Sequence, residues 1–375
     1  MDEARVATIE DLPGIIDLAE HVFADSAHRP RFLTRMFPVF LSAANVDNLY
    51  VVADGRRIVS LLGTDLRTLV TAGCRIPVVL VGAVCTHEEY AGRHLSGQTL
   101  QLAYQRCQGR GAVLALISGW RTVYKASGAE HVWDLYRFGA KAGQLPPPEA
   151  ACDLDPIEPD RLEEVVALHN REPMRFEWPP QWVREVFAET IRRKNGRGFL
   201  LRRGGRPVAA AWFSTLNQDP PDKGDLLDWF GDRDAIVSSL GAMAKAAGFS
   251  AVHGSLVGHD REMMRELRQA GLAPARIRGW TLKVLDFAAL LDCLRPHLAR
   301  TLGGESGAVQ AEDNGIVVAA GSERYASLDE WTAVQMIFAP PADYAEKTAT
   351  MPAVIRAVVE KAFPVPIPHY GLNYI

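Results

Sequence analysis

The 375-residue chain has few cysteines, no surplus of either charge and no long apolar run, and each shortage excludes a class of protein. Cys74, Cys85, Cys107, Cys152 and Cys293 are scattered without a CxxC pair or a Cys/His metal spacing, so no disulfide framework, zinc site or other metal is predicted. Reduced thiols point to a cytoplasmic location. The 41 basic and 45 acidic residues leave a net charge of −4, which gives no reason to propose nucleic acid or an anionic membrane as partner, and the most basic stretch, Arg192 to Arg203, reads as a solvated helix end and hairpin. The acidic start Asp2-Glu3 is not followed by an apolar core of signal-peptide length, and no later stretch approaches the ~20 apolar residues of a membrane span. Neither export nor membrane anchoring is expected.

The length predicts about two to three domains. A strand near Arg5–Thr8 precedes a helix to about Phe23 whose Leu12, Ile15, Ile16, Ala19 and Phe23 form one apolar stripe, and a second helix is expected over 30–43. Asp54-Gly55 between two apolar runs predicts a hairpin, because a type I′ turn needs positive φ. A buried strand over 76–83, a helix from about Leu95, a strand over 112–117, a short helix over 122–127 and a strand over 132–138 follow. Gln144-Leu145-Pro146-Pro147-Pro148-Glu149 reads as a linker. Beyond it the pattern returns, with helices near 161–169 and 180–193, a hairpin about Gly204-Gly205, a strand over 225–230, a helix from Arg233 to about Ala247 and a closing strand over 280–285. This repeat predicts an internal duplication. A helix over 287–302, weak strands over 308–320, the capping-box pattern Ser327-Leu328-Asp329-Glu330, a helix over 352–363 and an apolar tail to Ile375 make a third unit.

The segment from Val84 to Gln98 carries the chemistry. An apolar strand ends, glycines intervene, and Leu100, Ala103, Tyr104 and Cys107 then recur at helical spacing. A strand therefore feeds a helix N-terminus, where unpaired N–H groups and the positive end of the helix dipole suit a diphosphate.

Val84-Cys85-Thr86-His87, followed by Tyr90, Gly92, Arg93 and Leu95, resembles the acetyl-CoA segment of GNAT-type N-acetyltransferases, a strand ending in Val-x-Thr-His-Pro and then Tyr-Arg-Gly-Arg-Gly-Leu-Gly. By that resemblance, Val84, Cys85 and Thr86 meet the pantetheine arm and acyl carbonyl, and Gly92, Arg93, His94, Leu95, Ser96, Gly97 and Gln98 cradle the diphosphate. Ala91, His94 and Ser96 depart from the pattern: either His94 takes a left-handed backbone itself, or the loop is remodelled around Gly92 and Gly97. Val123-Tyr124-Lys125-Ala126-Ser127-Gly128-Ala129 is similar to the family's Phe-Tyr-x-x-x-Gly-Phe, which makes Tyr124 the acid that protonates the departing thiolate.

The whole layout resembles the enhanced-intracellular-survival family of aminoglycoside and lysine acetyltransferases. It implies an α/β fold of mixed sheets: a GNAT domain with the acetyl-CoA site (1–145), a degenerate GNAT-like domain (146–285) and a small sterol-carrier-like α+β domain with a docked tail (286–375). The resemblance also makes the α-carboxylate of Ile375 the base. The implied activity is acetyl-CoA-dependent acetylation of a primary amine, on a small molecule or a lysine side chain, by direct attack in a ternary complex. Two alternatives stand beside it: a catalytically silent acyl-CoA-binding or protein-interaction module, and an apolar-ligand carrier through the C-terminal unit. A homo-oligomer is left open. Glu20 and His21 read as solvated side chains, His87 and Glu88 are alternative bases set against the blander reading of a turn-exposed Glu, and Cys85 lacks the partner base of a nucleophile.

Overall fold

Gly55, at φ +61°, turns the chain between strands Leu49–Asp54 and Arg57–Thr71 as the Asp-Gly signal predicts. The computed structural model describes residues 3–132, 134–147, 152–179, 183, 196–215, 222–277, 279–327 and 329–373. Leu328, Tyr374, Ile375 and all but Val183 of the helix expected over 180–193 lie outside the described residues. Strand Cys74–Thr86 pairs antiparallel with Arg57–Thr71 and, over Val78–Val81, parallel with Leu114–Ile117. The sheet runs Arg5–Val6, Leu49–Asp54, Arg57–Thr71, Cys74–Thr86, Leu114–Ile117, Thr281–Val284, Glu130–His131. Helix Leu95–Gln108 buries Leu100, Ala103 and Cys107 against Tyr50, Leu62, Val79 and Val81 of its strands.

The sequence reading closes the first domain with a strand over 132–138 and the second with one over 280–285. In the structure these strands are exchanged. Thr281–Val284 enters the first sheet between Leu114–Ile117 and Glu130–His131, while Leu135–Lys141 pairs with Ala251–Val257 in the second. The compact units therefore interleave along the chain: Met1–Leu33, Val39–Trp133 and Arg278–Ile367 form one, and Thr34–Pro38, Asp134–Ile277 and Pro368–Ile375 the other. Apolar alternation marks a segment as a strand but does not name its partner, so the exchange left no trace in local pattern. The C-terminal elements, helices Phe287–Leu302, Glu330–Phe338 and Ala353–Ala362 and a separate sheet Val309–Glu312, Gly315–Ala320, Glu323–Ala326, form an α+β group that falls in the first unit. Arg300 ties Phe287–Leu302 to the Ala72 carbonyl at the start of strand Cys74–Thr86.

The second sheet runs Ala275–Ile277, Leu135–Lys141, Ala251–Val257, Lys223–Gly231, Arg206–Ser214, Arg197–Arg203, Asp153–Pro156. Gly204 and Gly205, at φ +58° and +77°, form the predicted hairpin turn. Strand Lys223–Gly231 repeats the arrangement of Cys74–Thr86, antiparallel to the hairpin and parallel to the next strand only over Lys223–Leu226. The internal duplication expected from the repeated pattern is therefore present.

Three local expectations change. The helix expected over 30–43 is a single turn, Leu33–Met36: the buried Glu20 carboxylate accepts the Phe32 and Leu33 amides at 2.9 and 2.8 Å at its start, and Pro38, which disfavours helical backbone at Phe37, follows its end. The helix expected from Arg233 to Ala247 breaks at Ser239 into Arg233–Ser238 and Leu240–Ala247. Asp329, not Ser327, caps helix Glu330–Phe338 by accepting from the Thr332 amide at 2.6 Å, and Ser327 Oγ instead accepts from the Ile316 amide.

Candidate active site

The parallel pairing of Cys74–Thr86 with Leu114–Ile117 stops at Val81 and Ile117. Just beyond, Ala83 takes φ +50° and the register against Arg57–Thr71 shifts, the signature of a β-bulge. His87 N–H donates to the Val59 carbonyl at 2.9 Å, so by strand alternation the backbone groups of Cys85 and His87 face the hairpin, and those of Val84 and Thr86 face the opened side. Val84 and Thr86 thus present amides where no described strand pairs with them. Cys85 between them is turned away. Its thiol is fully buried, and burial pushes it up to about 12, which makes it inert as a nucleophile.

The choice left open for the loop is decided by backbone shape. Gly92 takes φ +77° and His94 takes φ +59°, whereas Gly97 lies inside helix Leu95–Gln108. His94 is the N-cap residue but donates no side-chain cap. Gly97 and Gln98 donate to the His94 carbonyl at 3.1 and 3.2 Å, and among the described residues the Leu95 and Ser96 amides have no acceptor. A Cβ built on Gly92 or Gly97 meets nothing within 4 Å, so the backbone there is open to a ligand. Arg93 folds back over the Tyr90 ring, 4.9 Å from its centroid, and Tyr90 donates to Asp54 at 2.7 Å.

A line of hydroxyls joins strand to helix: Ser60 Oγ lies 2.9 Å from Thr86 Oγ1, which lies 2.8 Å from Ser96 Oγ. Thr86, Gly92, His94, Leu95, Ser96, Gly97 and Gln98 line one open groove of about 1030 Å³ together with Tyr104, Val123, Ser127 and Lys283. Val84, Cys85 and Arg93 are not on its wall. Tyr124 stands behind it, 4% exposed, in a cluster with Val84, Tyr104 and Ile117. Burial pushes its phenol up, and the Arg121 guanidinium pulls it back.

Three residues given no leading role by the sequence, His21, His87 and Glu88, are paired. His21 Nε2 lies 2.9 Å from the Glu88 carboxylate, and the His21 ring stacks on His87 at 4.7 Å. Ligand-type atoms of His21, His87 and Glu88 come within 4.8 Å of one another, but both ring nitrogens of His87 face donors, Arg57 Nη2 at 2.6 Å and the Glu89 amide at 3.3 Å. That set therefore makes no case for a metal. Sequence separations of 30 to 67 residues kept these contacts out of reach of local pattern.

The equivalent place in the second unit is closed. Asp232 Oδ1 accepts the Ala235 amide at 3.0 Å, putting a carboxylate on the helix N-terminus where an anion would bind. Arg233 is held by both Glu172 oxygens at 2.8 Å and by Asp260 at 3.1 Å. Where strand Lys223–Gly231 runs past its last parallel pair, the C-terminal tail packs on it: the Leu372 amide donates to Asp228 Oδ2 at 3.0 Å, and Trp178 Nε1 donates to Asn373 Oδ1 at 2.6 Å. The tail is fixed through Asn373; the site expected at Ile375 lies outside the described residues.

Residues 3–132, which hold the bulged strand and the uncapped helix N-terminus, match a family model described as an acetyltransferase (GNAT) domain. A GCN5-related N-acetyltransferase from Kribbella flavida superposes with TM-score 0.67 at 14% identity, over 97% of this chain and 98% of its own. Eis1 from Mycobacterium abscessus superposes with TM-score 0.63 at 12% identity, over 98% and 99%. Saccharomyces cerevisiae N-myristoyltransferase with bound myristoyl-CoA gives TM-score 0.53 at 12% identity, over 75% and 78%. These likenesses describe the fold, and among curated proteins no sequence matches. No described helix is long and apolar enough to cross a membrane.

Proposed function

We propose that the protein is an acetyl-CoA-dependent N-acetyltransferase that acetylates a primary amine, on a small molecule or a lysine side chain, by direct attack on the thioester. One observation carries the reading: the opened edge with the Val84 and Thr86 amides adjoins the unpaired Leu95 and Ser96 amides, and Thr86, Leu95 and Ser96 line one groove. A diphosphate needs several converging N–H donors, and an amide aimed at a thioester oxygen stabilises the charge of the tetrahedral intermediate. Cys85, buried and protonated, favours direct attack over a cysteinyl intermediate. In this reading Tyr124 gives its proton to the departing sulfur, and the α-carboxylate of Ile375 takes one from the amine. A reducing, cytoplasmic setting is supported by the five free cysteines. The cavity beside Asp286 and Glu312–Asn314 is walled by Lys283, Asp286, Glu312, Asp313 and Glu330, a charged lining that favours the transferase over an apolar-ligand carrier.

Acetyl-CoA binding should raise the melting temperature, and coenzyme A release across an amine panel should follow. Tyr124→Phe should lower kcat by ~10²-fold or more with acetyl-CoA affinity nearly unchanged, read by steady-state kinetics and calorimetry. An unchanged kcat removes Tyr124 from the acid role. Residues appended after Ile375 should abolish turnover while leaving cofactor binding intact; full activity in that protein removes the carboxylate base.

A further inference from the structure

Beyond the Val81–Ile117 pair, the side of strand Cys74–Thr86 that faced Leu114–Ile117 has lost its partner strand, and a carbonyl left there needs a donor. The Val84 carbonyl finds one in Arg121, whose Nη1 donates to it at 3.2 Å. The same residue precedes helix Thr122–Ala126, and its own carbonyl accepts the Tyr124 amide at 2.9 Å. Arg121 therefore holds both sides of the opening, Val84 by its side chain and Tyr124 by its backbone. The loop is braced from behind: Gly119 lies so close to Tyr124 that a Cβ there would sit 3.1 Å from the ring, and its carbonyl accepts Thr281 Oγ1 at 2.8 Å.

We infer that Arg121 is a positioning residue, a strut that spans the opened sheet edge, fixes the Tyr124 phenol relative to the Val84 backbone and supplies a positive charge beside that phenol. Its catalytic consequence rests on the acetyl-transfer reading; the strut itself does not. When the amine attacks and the carbon–sulfur bond breaks, the electron pair leaves on sulfur and the Tyr124 proton follows it. A cation fixed beside the phenol stabilises the phenolate left behind. The groups facing Tyr124 are Arg121 before its own helix, Cys85 from the strand and Tyr104 from helix Leu95–Gln108. Lys283 lies behind Tyr104, 5.9 Å from its ring centroid, and is paired with Glu330. Burial and Cys85 raise the phenol and Arg121 opposes them, so removing the guanidinium leaves, among the described residues, no charge at Tyr124 to counter burial.

The test uses the full chain with Arg121→Gln and Arg121→Lys. By hydrogen–deuterium exchange, Arg121→Gln should speed exchange several-fold in peptides covering 82–87 and 121–126 and leave the rest unchanged, while Arg121→Lys, which keeps a charged donor, should stay near wild type. Exchange unchanged in Arg121→Gln overturns the strut. In turnover, Arg121→Gln should lower kcat about tenfold with KM for acetyl-CoA within about twofold, and should move the alkaline limb of the kcat–pH profile upward; Arg121→Lys should restore both. Faster exchange with kcat and the pH limb unmoved overturns the catalytic part alone. If exchange responds as expected but wild-type protein acetylates no amine, the strut stands and the acetyl-transfer reading falls.

Discussion

Asp228 shows what one buried carboxylate does to the tail. It accepts the Leu372 and Trp229 amides at 3.0 and 3.1 Å, and burial pushes it up to about 7. A carboxyl raised from 3.8 to about 7 on folding adds stability at acid pH and loses it as pH rises through about 7. Burial lowers His169 to about 3 and His369 to about 4, so they act in the opposite sense and weaken the fold as pH drops below about 6.5. Asp228→Asn removes the titration and leaves one oxygen for the two amides, a loss that does not vary with pH. Its unfolding free energy relative to wild type should therefore rise between pH 5 and pH 8, by on the order of a few kcal/mol, read by denaturant titration at each pH. A difference that is flat with pH would contradict the buried carboxyl. The motif-bearing residues around Gly92 were legible because their chemistry is local; Asp228, Glu20 and Arg121 were not, because the groups that define them come from elsewhere in the chain.

At the scale of elements, the two units differ at one helix start. Helix Leu95–Gln108 begins with a left-handed His94 that offers no side-chain cap, whereas helix Arg233–Ser238 begins with Asp232 bonded to its own Ala235 amide. Backbone shape, not the imidazole, is what the first site uses. His94→Gly should therefore keep acyl-CoA affinity and relieve on the order of 1 kcal/mol of strain, while His94→Val should weaken binding, both read by calorimetry and thermal melting. A large affinity loss in His94→Gly would mean that the ring itself contacts the ligand. Turns and caps were readable because Asp54-Gly55, Gly204-Gly205 and a strand running into a glycine loop each impose a backbone conformation. The helix expected over 30–43 was cut short because Pro38 disfavours helical backbone at Phe37, while the Glu20 carboxylate holds the amides at the start of the one remaining turn.

Across the whole molecule, the exchanged strands make the first unit depend on residues far along the chain. Thr281–Val284 covers the edge of Leu114–Ile117, and the Thr71 hydroxyl donates to the Pro366 carbonyl at 2.6 Å. A fragment of residues 1–145 would leave Leu114, Ala115, Leu116 and Ile117, all nearly fully buried in the intact chain, on an open apolar edge. It should aggregate or unfold without cooperativity in circular dichroism and size-exclusion chromatography, whereas the intact chain melts cooperatively. A soluble, cooperatively folding fragment would show that the exchange is dispensable.

The sequence by itself determined which segments are strands and helices, where two hairpins turn, and that a strand runs into a glycine-bearing helix start suited to a diphosphate. These features depend on periodicity and on backbone conformations that few residues tolerate, and both are local. Only the tertiary structure decided which strand closes which sheet, that the second helix start is occupied by its own carboxylate and the adjoining strand by the tail, and that Arg121 bridges Val84 and Tyr124. Those outcomes depend on pairing and desolvation between residues tens to hundreds of positions apart, which no local pattern encodes.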